Sequence, residues 1–250
     1  MIFAPHPDDE SLACGILLQA AVSVGAAARI VYLTDGENNP WPQRFLARRW
    51  RLDLNDRERW AKLRRREAVA ALGVLGVARA EAQFLGWPDQ GLSALLRSDR
   101  ASSLARLRNL IREWGPTDLF VPDVADRHRD HKAVGLMFQS LFLSAPESVS
   151  EIEQWSYLVH GLPPAFRRQA HALAQTPLQA DTKRRAISCH KTQLKLSRRR
   201  FLQYADRPEL FRNITPPRAL AESPPLTRPV ELVEAALSAA AIHPYAAAND

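Results

Sequence analysis

Through its first 160 residues the chain alternates short apolar runs with stretches of helical periodicity, and this alternation narrows the fold more than any other feature. Residues 1–4 form a very short apolar run, and residues 29–34 a β-branched one that stops at the turn Asp35-Gly36. Residues 83–85, 118–121 and 154–159 read as further strands. Between them, apolar positions return every three or four residues: Leu12, Ile16, Leu17, Ala20, Ala21 and Val24, then Trp60, Leu63, Val69 and Leu72, then Leu104, Leu107, Leu110, Ile111 and Trp114. The first helix is expected over residues 11–28, the second to be capped by Asn55 or Asp56, and a fourth over residues 131–143. Strands separated by helices build a parallel sheet covered on both faces, and ligands of such sheets sit beyond the carboxyl ends of the strands. The last third is punctuated by proline, with helices expected over residues 181–204 and 230–241.

Composition removes several classes. Hydrophobic residues make up 46% and charged residues 24% of the 250, which is ordinary for a globular chain and fits one large α/β domain. The charge-free residues 11–28 read as a buried amphipathic helix rather than a membrane span, because Gln19 and Ser23 interrupt the apolar face. No basic region precedes Asp8, Asp9 and Glu10, which argues against a secretory leader. The two cysteines, Cys14 and Cys189, form neither a disulfide framework nor a thiolate metal pair, which favours a reducing, cytoplasmic setting.

Two polar clusters fall at predicted strand ends. In the first, His6 follows a strand and Asp9 opens a helix; a histidine and a carboxylate three residues apart on a proline-bearing turn can share a cation. Asp8, between them, can face a bound water, and a helix N-terminus favours negative charge there. In the second, Asp126-Arg127-His128-Arg129-Asp130-His131, His131 can complete a three-ligand site and His128 can face a substrate. Asp130 can hydrogen-bond an imidazole and fix its tautomer. Alone, the first cluster reads more readily as an acidic helix cap and the second as a solvated loop. Together they point to a catalytic metal site with three protein ligands and an open position.

The sequence PHPDDE after the first strand, with His128-Arg129-Asp130-His131 after a later one, resembles the PIG-L / LmbE-like family of zinc-dependent N-acetylglucosamine de-N-acetylases. Weaker matches follow in order: Thr34-Asp35-Gly36-Glu37, Arg64-Arg65-Arg66-Glu67-Ala68, residues 84–92 and residues 183–193. The resemblance covers about residues 1–205 and leaves 206–250 as a helical or irregular extension of one catalytic domain. It implies a Rossmann-like three-layer α/β/α fold with a mostly parallel sheet. It implies zinc on His6, Asp9 and His131, although such an N/N/O set also accepts iron, cobalt or nickel. It implies Asp8 as general base, and His128, supported by Asp130, as the electrostatic or acid partner near the leaving amine. Some relatives carry a tyrosine two residues before the first histidine of this second motif; here that place is Asp126, and Tyr157 is a substitute by residue type alone.

Arg64, Asp89, His160 and His190 are the candidate substrate-binding residues, each with a competing structural role as ion pair, turn cap or buried histidine. Trp41, Trp50 and Trp87 lie near predicted loops, where aromatics stack on sugars or fill local core. The net charge of +7 gathers in residues 44–66, with ten basic residues against three acids, and in residues 183–200, with eight against none. Solvated helix faces explain such runs, as does attraction to an anionic substrate or a peripheral membrane contact. Nucleic acid is disfavoured, since no binding motif accompanies the charge. The expected reaction is metal-dependent hydrolysis of the N-acetyl amide of a small or lipid-linked amino-sugar glycoconjugate. A basic α/β binding module with a structural metal, and a hydrolase of another amide or ester, are the competing readings.

Overall fold

The computed structural model describes residues 1–144, 151–215 and 243–244. Five strands pair in parallel in the order β3 (Ala82–Trp87), β2 (Ile30–Thr34), β1 (Ile2–Ala4), β4 (Asp118–Pro122) and β5 (Glu153–Tyr157). Three antiparallel strands continue the sheet past β5: β7 (Glu209–Asn213), β6 (His171–Leu173) and the two-residue β8 (His243–Pro244). The helices are α1 (Asp9–Ala13), α2 (Gly15–Ser23), α3 (Pro40–Ala47), α4 (Leu54–Val74), α5 (Leu92–Ser98), α6 (Arg100–Trp114), α7 (Arg129–Ser144), α8 (Pro164–Gln169), α9 (Pro177–Cys189) and α10 (Lys191–Leu202). None among the described residues is long and apolar enough to cross a membrane.

Successive strand residues point to opposite faces. Ile2, Ala4, Ile30 and Tyr32 join one core with Leu12, Ile16, Leu72 and Ile187 from α1, α2, α4 and α9. Phe3, Val31 and Leu33 join a second with Leu92, Leu107 and Phe138 from α5, α6 and α7. Both faces are therefore covered, which is why the inner strands read as unbroken apolar runs. The chain turns back at β1, with β2 and β3 to one side and β4 and β5 to the other. The loops after β1 and β4 diverge there, opening the crevice in which doubly wound sheets hold ligands.

Several local expectations are corrected. The helix expected over residues 11–28 is two helices broken at Cys14. The Glu209 carboxylate, from β7, accepts the backbone N–H groups of Ile16 (2.8 Å) and Leu17 (3.0 Å) and so caps α2 from outside. The helix expected over residues 181–204 breaks at His190, where Glu67 of α4 accepts the N–H of Thr192 at 3.0 Å. Pro40 and Pro42 lie in the first turn of α3, where proline loses no intrahelical bond. The cap of α4 is Asp53, in a reciprocal box with Asp56, and Leu63 faces outward. Helix α5 adds to the expected elements, and β7 carries the sheet past residue 205. The helix expected over residues 230–241 lies outside the described residues.

Candidate metal and catalytic site

The turn after β1 brings His6 and Asp9 together, because the Asp9 Oδ2 accepts the backbone N–H of His6 at 2.8 Å. His131, in the first turn of α7, enters from the neighbouring β4 loop. His6 Nδ1, Asp9 Oδ2 and His131 Nε2 form a nearly equilateral triangle, with sides of 3.3, 3.2 and 3.3 Å. A tetrahedral ion with bonds of about 2.0–2.1 Å spaces its ligands about 3.3–3.4 Å apart, so the three atoms fit one face of a zinc-like coordination shell.

The far side of each imidazole faces carboxylate. His6 Nε2 lies 3.3 Å from Asp89 Oδ1 and 3.4 Å from Asp130 Oδ2, and His131 Nδ1 lies 3.3 Å from Asp126 Oδ2. A proton on each outer nitrogen leaves the inner lone pair for a cation, the arrangement by which outer carboxylates orient metal-binding histidines. Electrostatics agree. Burial alone would lower the His131 pKa, yet Asp9 and Asp126 raise it to about 9. At His6 burial again pulls the pKa down, but Asp130, Asp89 and Asp9 outweigh it and hold the imidazole well above its usual range. Asp9 is buried, which favours its neutral form, but His131 and His6 hold it well below the usual carboxylate range. The cluster draws positive charge, and a divalent cation satisfies that demand.

Asp8 is buried beside the triad, and its Oδ2 accepts from Arg64 Nη2 at 3.0 Å. Arg64 also donates to the carbonyls of Pro7 (2.7 Å) and Gly36 (3.1 Å). Gly36, at φ +63°, is where the guanidinium passes: a Cβ there would lie 1.5 Å from Arg64 Nη1. Burial pushes the Asp8 carboxyl up to about 6, against the downward pull of Arg64. That value suits a group that must take a proton near neutral pH.

His128 Nδ1 accepts the backbone N–H of Asp130 at 3.3 Å, which assigns its proton to Nε2. Its ring centroid lies 4.8 Å from that of His6 and 5.1 Å from that of His131. Burial, then His6 and His131, lower its pKa, so it stays neutral with an N–H to donate. The Asp130 carboxylate takes a different post from the expected support of His128. It accepts from the backbone of Gln90 (2.7 Å) and Leu92 (3.3 Å) and backs His6.

The four expected substrate residues divide. Arg64 and His160 line the cleft above the triad, a space of about 750 Å³. Arg64 spends its donors on Asp8 rather than on Glu67 or Asp89. Asp89 also lines the cleft, but Oδ2 accepts from Asn38 N at 2.8 Å and Oδ1 backs His6. His190 lies outside the cleft lining, 1% exposed, with Nε2 3.2 Å from Ser11 Oγ and from Glu10 Oε1. Tyr157 is no source of oxyanion help: it is fully buried and donates to the Phe3 carbonyl at 2.8 Å. Trp41 and Trp50 are 60% and 73% exposed, not core, with Arg44 against both rings.

Asp126, noted in the sequence only as a departure, is the organising carboxylate. It accepts from His128 N (2.8 Å), Val159 N (2.9 Å) and His160 N (3.0 Å) while facing His131. Its position before the histidine pair was the available signal; its partners at Val159 and His160 could not be read locally.

The family model described as PIG-L, GlcNAc-PI de-N-acetylase, matches residues 1–142. No curated protein matches the sequence significantly. Among solved structures, the conserved protein TT1542 from Thermus thermophilus is 23% identical, with a TM-score of 0.61 over 91% of this chain and 97% of that one. The N,N'-diacetylchitobiose deacetylase from Pyrococcus horikoshii is 18% identical, with a TM-score of 0.64 over 86% and 82%. GalB, the 4-carboxy-2-hydroxymuconate hydratase from Pseudomonas putida, is 17% identical, with a TM-score of 0.60 over 89% and 98%. These structural likenesses speak for the fold. The family match spans more than half of the chain and includes His6, Asp8, Asp9 and His131, and on that ground the chain belongs to the PIG-L family.

Proposed function

We propose that the chain hydrolyses the N-acetyl amide of an N-acetylglucosamine-containing glycoconjugate to acetate and a free amino sugar. The observation that carries this reading is the triangle of His6, Asp9 and His131 with Asp8 at its side, of which His6, Asp8 and Asp9 line the cleft. A divalent ion on those three ligands, zinc or a related transition metal, would acidify a bound water and polarise the amide carbonyl.

The chain's own groups divide the remaining work. Asp8, held by Arg64, accepts the proton of the attacking water. His128, neutral and carrying its proton on Nε2, donates towards the amide as its carbon becomes tetrahedral. The leaving nitrogen receives a proton from Asp8 or His128, and the C–N bond breaks. Water is consumed, and one acetate and one amine form.

A binding module with a structural metal calls for a closed, four-ligand site. His6 and Asp9 line the cleft, which favours an open position and a reacting water. The test is release of free amine from a panel of N-acetylglucosaminides after metal loading. Turnover of one member supports the reading; no turnover on any member, with metal bound, returns weight to the binding module.

A further inference from the structure

Three histidines line the cleft, and two of them are tied down: His6 Nε2 faces Asp89 and Asp130, and His128 Nδ1 accepts the backbone N–H of Asp130. The third, His160, differs. Among the described residues neither of its ring nitrogens has a hydrogen-bond or ion-pair partner. Its half-buried ring packs beside those of His131 and His128, with centroids 5.0 and 5.4 Å away.

The backbone of His160, by contrast, is held tightly. Asp126 Oδ2 accepts its N–H at 3.0 Å and that of Val159 at 2.9 Å. The His160 carbonyl accepts from Arg127 N at 3.0 Å, and the Val159 carbonyl from the Tyr204 hydroxyl at 2.7 Å. Gly161 follows at φ +87°, and a Cβ there would lie 2.9 Å from Arg127 Nε, so the turn after His160 requires glycine. The same Asp126 oxygen faces His131 Nδ1 at 3.3 Å, so one carboxylate positions His160 against the triad. A side chain carried on such a segment needs no reorganisation when charge develops beside it.

The two imidazoles approach different edges of the triangle. A ring nitrogen of His128 lies within 4.8 Å of ligand atoms of His6 and His131, and one of His160 within 4.8 Å of those of Asp9 and His131. An oxygen about 3 Å from each side bridges such a gap when the two contacts meet at roughly 105°. A neutral imidazole keeps one N–H to donate. His160 has no carboxylate behind it to resupply a proton, which suits it to holding an oxygen rather than to protonating a leaving group.

We propose that His160 is a further catalytic residue, the donor that holds the acyl oxygen of the amide as its carbon becomes tetrahedral. As the water oxygen attacks, the carbonyl π pair moves onto the acyl oxygen, and the hydrogen bond from His160 strengthens with that charge. As the C–N bond breaks, the pair returns to the carbonyl and the His160 proton has stayed on its nitrogen. The water proton still goes to Asp8, and His128 is left for the nitrogen. His160 lies beyond residues 1–142, outside the part that matches the family. The proposal rests on the deacetylase reading for the reaction and on the placement of His160 for the role.

The test compares the Zn²⁺-loaded full chain with His160→Phe, which keeps a flat ring and loses both nitrogens, and His160→Gln, which restores an N–H. With methyl N-acetylglucosaminide, kcat is expected to fall about 10²–10³-fold in the first, with KM little changed, and to recover about tenfold in the second. Isothermal titration with the methylphosphonamidate of glucosamine, a stable tetrahedral mimic of the attacked amide, is expected to show the same loss in His160→Phe, while the affinity for N-acetylglucosamine stays put. Co²⁺ affinity is expected to be equal in all three chains. A drop in Co²⁺ affinity in His160→Phe would make His160 a metal ligand, and a raised KM at unchanged kcat would make it a sugar contact; either overturns the proposal. Undiminished turnover in His160→Phe also overturns it and leaves the deacetylase reading standing. A wild type that hydrolyses no glycoside yet binds the mimic about 10²-fold better than His160→Phe sinks that reading and keeps the donor. Neither turnover nor binding of the mimic by the wild type overturns both.

Discussion

Arg64 reaches Asp8 across the Gly36 turn, Nη2 to Oδ2 at 3.0 Å, with both side chains almost wholly withdrawn from water. The pair couples helix α4 to the acidic turn, and it pulls down an Asp8 pKa that burial pushes up. Asp8 must be ionised to take a proton, and its pKa is about 6. kcat/KM is therefore expected to fall as pH drops through about 6. In Arg64→Met the downward pull is gone, so the acid limb should move to higher pH. A pH–rate profile unchanged in that variant would separate Asp8 from the chemistry.

Gly36 is predicted to be intolerant of alanine. The substitution strains a positive φ, at a cost of roughly 1–3 kcal/mol, and it displaces the Arg64 guanidinium. Urea unfolding should show the loss of stability, and the folded remainder should turn over roughly tenfold more slowly or worse, since Asp8 loses its partner. Wild-type values on both counts contradict the placement of Arg64.

Asp126 faces His131 at 3.3 Å and accepts from three backbone N–H groups, those of His128, Val159 and His160. Replacing it with asparagine turns an amide N–H₂ towards donors. Metal affinity is expected to fall about 10–100-fold, the usual effect of losing an outer carboxylate. Titration with Co²⁺, followed by its absorption, reads the affinity without any substrate. An unchanged affinity would mean that Asp126 only ties the loop.

Lys183 and Glu209 form a buried pair at 2.7 Å, each 1% exposed. Lys183→Met leaves a buried carboxylate with only the α2 N–H groups for company, and should cost about 3–5 kcal/mol. The double change with Glu209→Leu should cost less than the two single changes added together, as coupled neighbours do. Simple additivity in urea denaturation would show that the two do not interact.

The parts legible in the sequence are those in which partners are close along the chain. His6, Asp8 and Asp9 share one turn, and His128 and His131 another, and both turns follow apolar runs that form adjacent strands. The alternation of strands and helices foretold the covered parallel sheet. The helix breaks at Cys14 and His190 were illegible because what caps the following helix comes from afar: Glu209 for Ile16, and Glu67 for Thr192. For the same reason Asp126 could be seen as a departure but not as the group that gathers His128, His131 and His160. Of the ten basic residues in 44–66, Arg49, Arg59, Arg64 and Arg65 are ion-paired to carboxylates, so charge counted along the chain overstates the free surface.

The central claim is that His6, Asp9 and His131 hold a catalytic divalent cation while Asp8 takes the proton. Its most direct test is amine release by Asp8→Asn at measured metal content. The account predicts one metal ion per chain, as in the wild type, with turnover lowered about 10²–10⁴-fold. Full activity in that variant, with the metal retained, would contradict it.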